Sequence, residues 1–575
     1  MAGIFSELQS LAIDMTKTSL PHRANGKHHS RSNGKYHSAQ SEKKAKGAFY
    51  TSDDIASYLV NRVVGETSQK ILEPAFGDGS FIEAITRYYT KHKMAGKLKE
   101  NVYGIEVQEG AIGQYRNNWL FDPTKIILSD FIAVEPFPVD VVIGNPPYVG
   151  LNKLPPDEYQ RAQRLIDSYN FKMQASGSLW FPFVLHACAF LKQGGAMAFV
   201  LPFEVTYVRY AKQLWKFLGE RFAELTVVRV FEDIFPDVDV ETVLLIAKGY
   251  GESTNFANYE IYPNRQSLLS GQAQKIKSVA VNSTLNGERP FVANLLSQEH
   301  LDIIDKLRAQ GIIRPIRQVC KFKIGYVCAD NQYFHPSAET INRFGIPDDE
   351  LLPAIANAKA IKSDVGLFIK SGQVTTRLFY PNAQNLTSET LKYIDYGKSS
   401  RVNDRYKCRQ RTPWYVTPGI EIPDIILTVF GDKPKLYVNS GRYLASNSLL
   451  CGFMQNRQIT SRQLAASWYN TLTLLSIELK VHSLGGGVLI FIPGETDAIE
   501  IVDPGTVGNV EKEFYGEVDR LLKHGELEKA YLVGDEYILK RLGLSSDEIE
   551  SLRSAVQALR RWRNAKLRKT LERIE

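Results

Sequence analysis

The chain has 575 residues, 44% hydrophobic and 23% charged, with a net charge of +7; this length exceeds one core, and the composition excludes wholesale disorder. The basic residues sit mainly at the ends: residues 1–46 carry a net +5 and residues 551–575 a net +6, leaving the middle at −4. Overall basicity therefore says little about partners, and any nucleic-acid contact in the middle must use local patches. Five scattered cysteines without CxxC spacing argue against disulfides and against a structural metal. No apolar run of transmembrane length and no signal segment is present, so no membrane contact and a cytoplasmic location are expected.

From the N-terminus, residues 1–46 read as a disordered basic arm rich in Ser, Asn, Gly, His and Lys; its four histidines lack ligand spacing, and phosphate attraction is the better account. Short β-branched runs then alternate with helical patterns. The runs are ILEPA from Ile71, VYGIEV from Val102, TKIILSD from Thr124, VDVVIGNP from Val139, AMAFVLP from Ala196, LTVVRVF from Leu225 and TVLLIAKG from Thr242. Between several of them lie helix-like stretches, Ile55 to Val64, Phe81 to His92 and Phe181 to Leu191. Strands buried on both faces and alternating with helices predict an α/β fold, a doubly wound, mostly parallel sheet, over residues 47–252. Beyond Ser253 the rhythm breaks, and residues 253–575 are expected to form a second, α+β domain ending in a basic amphipathic helix from Ser551. Ligands of such a sheet bind at the carboxyl ends of its strands.

Three signals fall at those ends. Glu73-Pro74-Ala75-Phe76-Gly77-Asp78-Gly79 lies between a strand and a helix, with glycines that permit a tight turn and close backbone approach. Its carboxylates repel phosphates and suit a cationic ligand. Glu106 ends the next strand, where a carboxylate accepts ribose hydroxyls; taken singly, a strand-end Glu is more often a solvated cap. Asp130 and Phe131 follow the third, a pair able to accept from an adenine amine and to pack on its ring. Together the three carboxylates outline an adenosine-shaped site.

The sharpest signal is Asn145-Pro146-Pro147-Tyr148, directly after an apolar strand. Two prolines end the strand and stiffen the loop, but a structural stop needs neither Asn nor Tyr. A planar exocyclic amine is a poor nucleophile because its lone pair is delocalised. The Asn145 side-chain oxygen and the Pro146 carbonyl can accept its two N–H groups and localise that pair, while Tyr148 offers a stacking face.

In these motifs and their order the chain resembles the gamma-type N6-adenine DNA methyltransferases of restriction-modification systems, the NPPY family. The resemblance runs from about Gly47 to Gly249, with looser features beyond. It implies S-adenosylmethionine as cofactor, held by Thr51, Glu73, Pro74, Ala75, Gly77, Gly79, Glu106, Asp130, Phe131, Asn145 and Pro147. It implies a flipped adenine as the target, met by Asn145, Pro146, Tyr148 and Phe235, and a C-terminal target-recognition domain on double-stranded DNA. By residue type alone Phe235 reads equally as core. Glu73 and Phe76 stand where many members carry Asp and Cys.

Arg401, Arg405, Lys407, Arg409 and Arg411 alternate with Tyr406 and Trp414 nearby, which suits a DNA-facing surface, a solvated face being as good a reading of any one. Ser483 to Gly487 resembles a glycine-rich turn late in such domains. The expectation is the modification enzyme of a type II system, a monomer paired functionally with a separate restriction endonuclease. Relatives acting on RNA or on a protein glutamine amide share NPPY, and cytosine N4 is the nearest DNA alternative. About 300 residues after the catalytic half favour DNA over the first two, and Asn145 favours adenine over cytosine. A catalytically silent DNA-binding specificity protein is the reading from a different class.

Overall fold

The computed structural model describes residues 51–563, apart from 67, 78, 117, 119, 176, 209, 231–241, 274, 282–288, 432, 457 and 484–487. The expected arm at 1–46, Phe235 and most of the glycine-rich turn at 483–487 lie outside the described residues. Two compact units are present, residues 1–294 and 295–575. Among the described residues, no helix is long and apolar enough to cross a membrane.

The first unit is built on one nine-stranded sheet. Its strands are β1 (Ile71–Glu73), β2 (Val102–Glu106), β3 (Ile126–Leu128), β4 (Val139–Gly144), β5 (Leu191–Pro202), β6 (Phe222–Val230), β7 (Thr242–Tyr250), β8 (Phe256–Tyr262) and β9 (Lys275–Ala280). They lie in the order β3-β2-β1-β4-β5-β7-β6-β8-β9. β1 pairs in parallel with both β2 and β4, while β7 runs antiparallel to β5 and β6. The chain steps outward from β1 to β3, then returns to the other side of β1 as β4, and that reversal is the switch point where doubly wound sheets bind ligands. This is the class I methyltransferase arrangement of a mostly parallel, doubly wound α/β sheet.

Helical spacing of apolar residues decides which faces are covered. In α1 (Asp53–Val63), Ile55, Ala56, Leu59, Val60 and Val63 are buried; α2 (Ser80–Lys91) buries Phe81, Ile82, Ala84, Ile85 and Tyr89. These residues share one core with Ile71, Val102, Val141 and Ile143 of the strands. Each fully buried aliphatic or aromatic side chain there contributes about 1.5–3 kcal/mol relative to exposure. On the chain go α3 (Glu109–Arg116), α4 (Pro156–Ser168), α5 (Trp180–Phe190) and α6 (Ala211–Gly219).

All seven expected strands are present, but the sheet does not stop at 252. β8 pairs with β6 and β9 with β8, so the boundary expected at residue 253 falls inside the sheet, and the first unit runs to Asn294. The alternation in Phe256–Tyr262, with Ala257, Tyr259 and Ile261 buried and Phe256 exposed, is that of a strand with one solvated face.

The second unit is α+β. Its main sheet orders Cys320–Ile324, Leu449–Met454, Ile425–Thr428 and Leu436–Val438, all antiparallel. The C-terminal helix Ser546–Arg563 is held by ion pairs and is not merely solvated: Arg560 and Arg563 both reach Glu478, at 3.2 and 2.8 Å, and Glu478 is 5% exposed. Glu478→Ala removes the buried carboxylate that both guanidinium groups share and leaves Arg560 with Glu528, at 3.0 Å. We expect a loss of about 3–5 kcal/mol in the unfolding free energy of this unit, read by chemical denaturation.

Candidate functional site

A cleft of about 750 Å3 opens at the carboxyl ends of β1, β2, β3 and β4, within the range of roughly 300–1,000 Å3 of small-molecule sites. Of the eleven residues expected to hold a cofactor, ten line it: Thr51, Glu73, Pro74, Ala75, Gly77, Glu106, Asp130, Phe131, Asn145 and Pro147.

The eleventh, Gly79, does not. It takes φ +86°, and a Cβ on it would stand 1.4 Å from the Tyr115 hydroxyl, so its role is to let α2 start against α3. Phe76 packs edge-on against the same Tyr115 ring at 5.4 Å and also reaches the cleft.

Glu106, 4% exposed, shows how a carboxylate is kept at this depth. One oxygen accepts from Gly77 N–H at 2.9 Å, and the other from Val107 and Gln108 N–H, each at 2.9 Å. Backbone donors replace lost water, and the first of them ties the glycine turn to the end of β2. Glu73, 1% exposed, closes β1 beside it.

Asp130 follows β3. One of its oxygens caps the turn Phe131–Ala133 through Ile132 N–H at 3.1 Å; the other accepts from Arg161 Nε of α4 at 3.0 Å. Phe131 is fixed from behind, 4.5 Å from Phe183, 5.3 Å from Phe190 and 4.8 Å from His186, whose Nε2 meets the Val134 carbonyl oxygen at 3.0 Å. Burial holds the His186 pKa below its ordinary value. The ring is thus a rigid wall.

Asn145 follows β4, and its Nδ2 donates to the Thr51 hydroxyl at 3.3 Å. That bond orients the amide, turning Oδ1 the other way. Pro147 reaches the cleft, whereas Pro146 is buried and is not among the lining residues. Tyr148 points its hydroxyl onto the Val200 carbonyl of β5 at 2.9 Å, and burial together with nearby Glu204 pushes its pKa well above the ordinary tyrosine value. Its phenol is an anchor, with no part in proton transfer.

Residue-type reasoning missed the stretch after the loop. Lys153, Leu154, Pro155 and Glu158 line the same cleft. Pro155-Pro156-Asp157-Glu158 was a readable helix start, with proline at the first position and acids in the first turn. Glu73, Glu106 and Asp130 give the cleft an acidic lining, which repels phosphates and suits a ligand carrying ammonium and sulfonium charges. Among the described residues no group of three or more His, Cys, Asp or Glu is placed to hold a metal.

The basic stretch of the second unit is not extended. Arg401, at φ +58°, follows the helix Ser388–Ser399, and Tyr406–Arg409 is a helical turn, so alternation in sequence does not put these residues on one face. Arg401, Arg405 and Arg409 are exposed; Arg405 lies 3.5 Å from Asp330, and Lys407 sits 5.6 Å over the Tyr406 ring. Arg411 donates to the Cys328 carbonyl at 2.7 Å and the Lys407 carbonyl at 3.0 Å, and stands over Phe334. It is a scaffold residue and leaves the DNA-facing set. Trp414 likewise packs on Tyr333, at 5.5 Å.

The N-6 DNA Methylase family matches residues 36–262, and the C-terminal domain of Type II methyltransferase M.Eco57I matches residues 288–539. Type II methyltransferase M.AccI of Acinetobacter calcoaceticus is 24% identical over 524 residues, 87% of this chain and 92% of that one. M.BstVI of Geobacillus stearothermophilus, also a Type II methyltransferase, is 25% identical over 56% of this chain and 64% of its own length. The solved structure of the Type IIL restriction-modification enzyme MmeI in complex with DNA is similar at a TM-score of 0.49, with 13% identity, 89% of this chain and 75% of that one covered. With one match on the half that holds the NPPY loop and another on the half that follows it, the chain is similar over both halves to DNA methyltransferases of restriction-modification systems.

Proposed function

We propose that this protein is a site-specific DNA adenine N6-methyltransferase that uses S-adenosylmethionine, the modification enzyme of a type II restriction-modification system. It acts in the cytoplasm as a monomer on double-stranded DNA, alongside a separate endonuclease. The observation that carries the reading is the Asn145 amide, held by Thr51 in the cleft that Glu73, Glu106 and Asp130 also line.

When bound, the cofactor supplies a sulfonium methyl group. The protein's part is positioning and electrostatics. Glu73 faces the ammonium end, Glu106 the ribose, and Asp130 with Phe131 the purine. Glu106 already holds three backbone donors, so a ribose diol shares its oxygens with them. Asn145 Oδ1 and the Pro146 carbonyl accept the two N–H groups of a flipped adenine, and the lone pair of its N6 then points at the methyl. The rigid Tyr148 ring supplies a stacking face, with Phe235 as its opposite partner. The second unit is assigned to target recognition, with Arg401, Arg405, Lys407 and Arg409 on phosphates.

The direct test supplies purified protein with methyl-labelled cofactor and varied duplexes, and identifies the labelled nucleoside. N6-methyladenine is the expected product; label on cytosine N4, on RNA only, or on a glutamine amide would replace the reading. Asn145→Ala is expected to lower turnover by about 100-fold or more, as for loss of a transition-state acceptor, with cofactor affinity nearly unchanged. Thr51→Val separates two roles for one hydroxyl. Acting through the amide, its loss lowers kcat by roughly tenfold at unchanged cofactor Kd, and Thr51→Ser restores it. A raised Kd at unchanged kcat assigns Thr51 to the cofactor alone.

A further inference from the structure

α4 brings two charged side chains to the purine end of the cleft, one helical turn apart on one face: Glu158, which lines it, and Arg161, which grips Asp130. We propose that this pair sets selectivity for a 6-amino purine. Arg161 is a positioning residue that keeps the Asp130 carboxylate aimed, and Glu158 is a second carboxyl lining the same cleft. The inference rests on the cofactor reading above and names the part of the cofactor that α4 inspects.

Asp130 is pinned at both oxygens, by Ile132 N–H at 3.1 Å and by Arg161 Nε at 3.0 Å. A carboxylate has about four lone-pair sites, so each oxygen keeps one for a ligand N–H. A 6-amino group donates to such acceptors. A 6-oxo group turns its own lone pairs on two carboxyl groups and is repelled.

That refusal depends on neither acid carrying a proton. Burial, and next the charge of Asp130, raises the pKa of Glu158, while Arg161 opposes the shift. Glu106, Glu109 and Lys153 line the same cleft, and His186 stands behind Phe131. Without the guanidinium, nothing opposes the effect of the Asp130 charge on Glu158, which then takes up a proton more readily. A protonated carboxyl is a donor, and a donor welcomes a 6-oxo group. Arg161 is 31% and Asp130 26% exposed, so the pair contributes little to fold stability, and its removal is expected to leave the unit folded.

Titration calorimetry on the full chain with S-adenosylhomocysteine and S-inosylhomocysteine reads the preference. The wild-type protein should favour the adenosyl compound by roughly 10- to 100-fold, the worth of hydrogen bonds to charged acceptors. Arg161→Met should narrow that ratio to within about threefold, and Arg161→Lys should restore most of it. Glu158→Gln, whose amide can donate, should tighten the inosyl compound specifically. A ratio unchanged in Arg161→Met and in Glu158→Gln overturns the inference while leaving the cofactor reading intact. A wild-type protein that binds neither compound overturns the cofactor reading itself.

Discussion

The site depends on the return of β4 to the side of β1, because that pairing places Asn145 beside the acid that ends β1 and one strand away from the acid that ends β2. From there one hydrogen bond fixes the chemistry. Asn145 and Thr51 are 94 residues apart in sequence, and Nδ2 donates to the hydroxyl across 3.3 Å. An amide rotated by half a turn keeps its shape but exchanges acceptor for donor, and an N–H facing an amine's N–H groups repels them. Here the Thr51 hydroxyl accepts from Nδ2, which leaves Oδ1 on the opposite side of the amide. The position of Thr51 is set two residues later by α1, whose buried Ile55, Leu59 and Val63 lock that helix onto the sheet.

The acids near this bond sit where acids are costly. Glu73 and Glu106 are 1% and 4% exposed. A carboxylate at that depth is disfavoured unless donors replace its water, and for Glu106 the glycine turn and the start of the following loop supply three. The same bonds join the glycine turn to β2, so the ends of two strands are held as one piece before any ligand arrives. Glu106 is held by backbone donors at both oxygens, whereas Asp130 takes one backbone donor, Ile132 N–H, and one side chain, Arg161.

What the sequence made legible was the part governed by strict local rules. Strands buried on both faces announce themselves by composition, and an Asn-Pro-Pro-Tyr run after one of them has few readings, so β1 to β7 were readable, and ten of the eleven positions expected to hold a cofactor line one cleft. Gly79 was misassigned because a glycine required by a neighbouring Tyr115 looks, in a string of letters, like one required by a ligand. β8 and β9 were missed because strands with one solvated face alternate with polar residues and resemble the irregular stretch beyond them. Arg411 misled for a related reason: spacing of two suggests one face of an extended chain, whereas a helical turn at Tyr406–Arg409 scatters those side chains and turns Arg411 onto the Cys328 carbonyl. Long-range partners of this kind leave no local mark.

The anchored Tyr148 bears on the energetics of base extrusion. Its hydroxyl is held by the Val200 carbonyl, so the ring loses little freedom when a base lies on it. Stacking on an aromatic face is worth about 1–3 kcal/mol, whereas extruding a duplex base costs a few kcal/mol. A rigid ring therefore recovers most of what stacking offers, yet stacking alone does not close the difference. In the proposed reaction the two acceptor bonds at Asn145 and Pro146 would form only after the base has arrived, so they would hold the extruded state without lowering the cost of reaching it. The remainder must come from contacts that distort or grip the duplex. In this chain the residues left for that purpose, once Arg411 and Trp414 are assigned to the scaffold, include the exposed Arg401, Arg405 and Arg409 of the second unit.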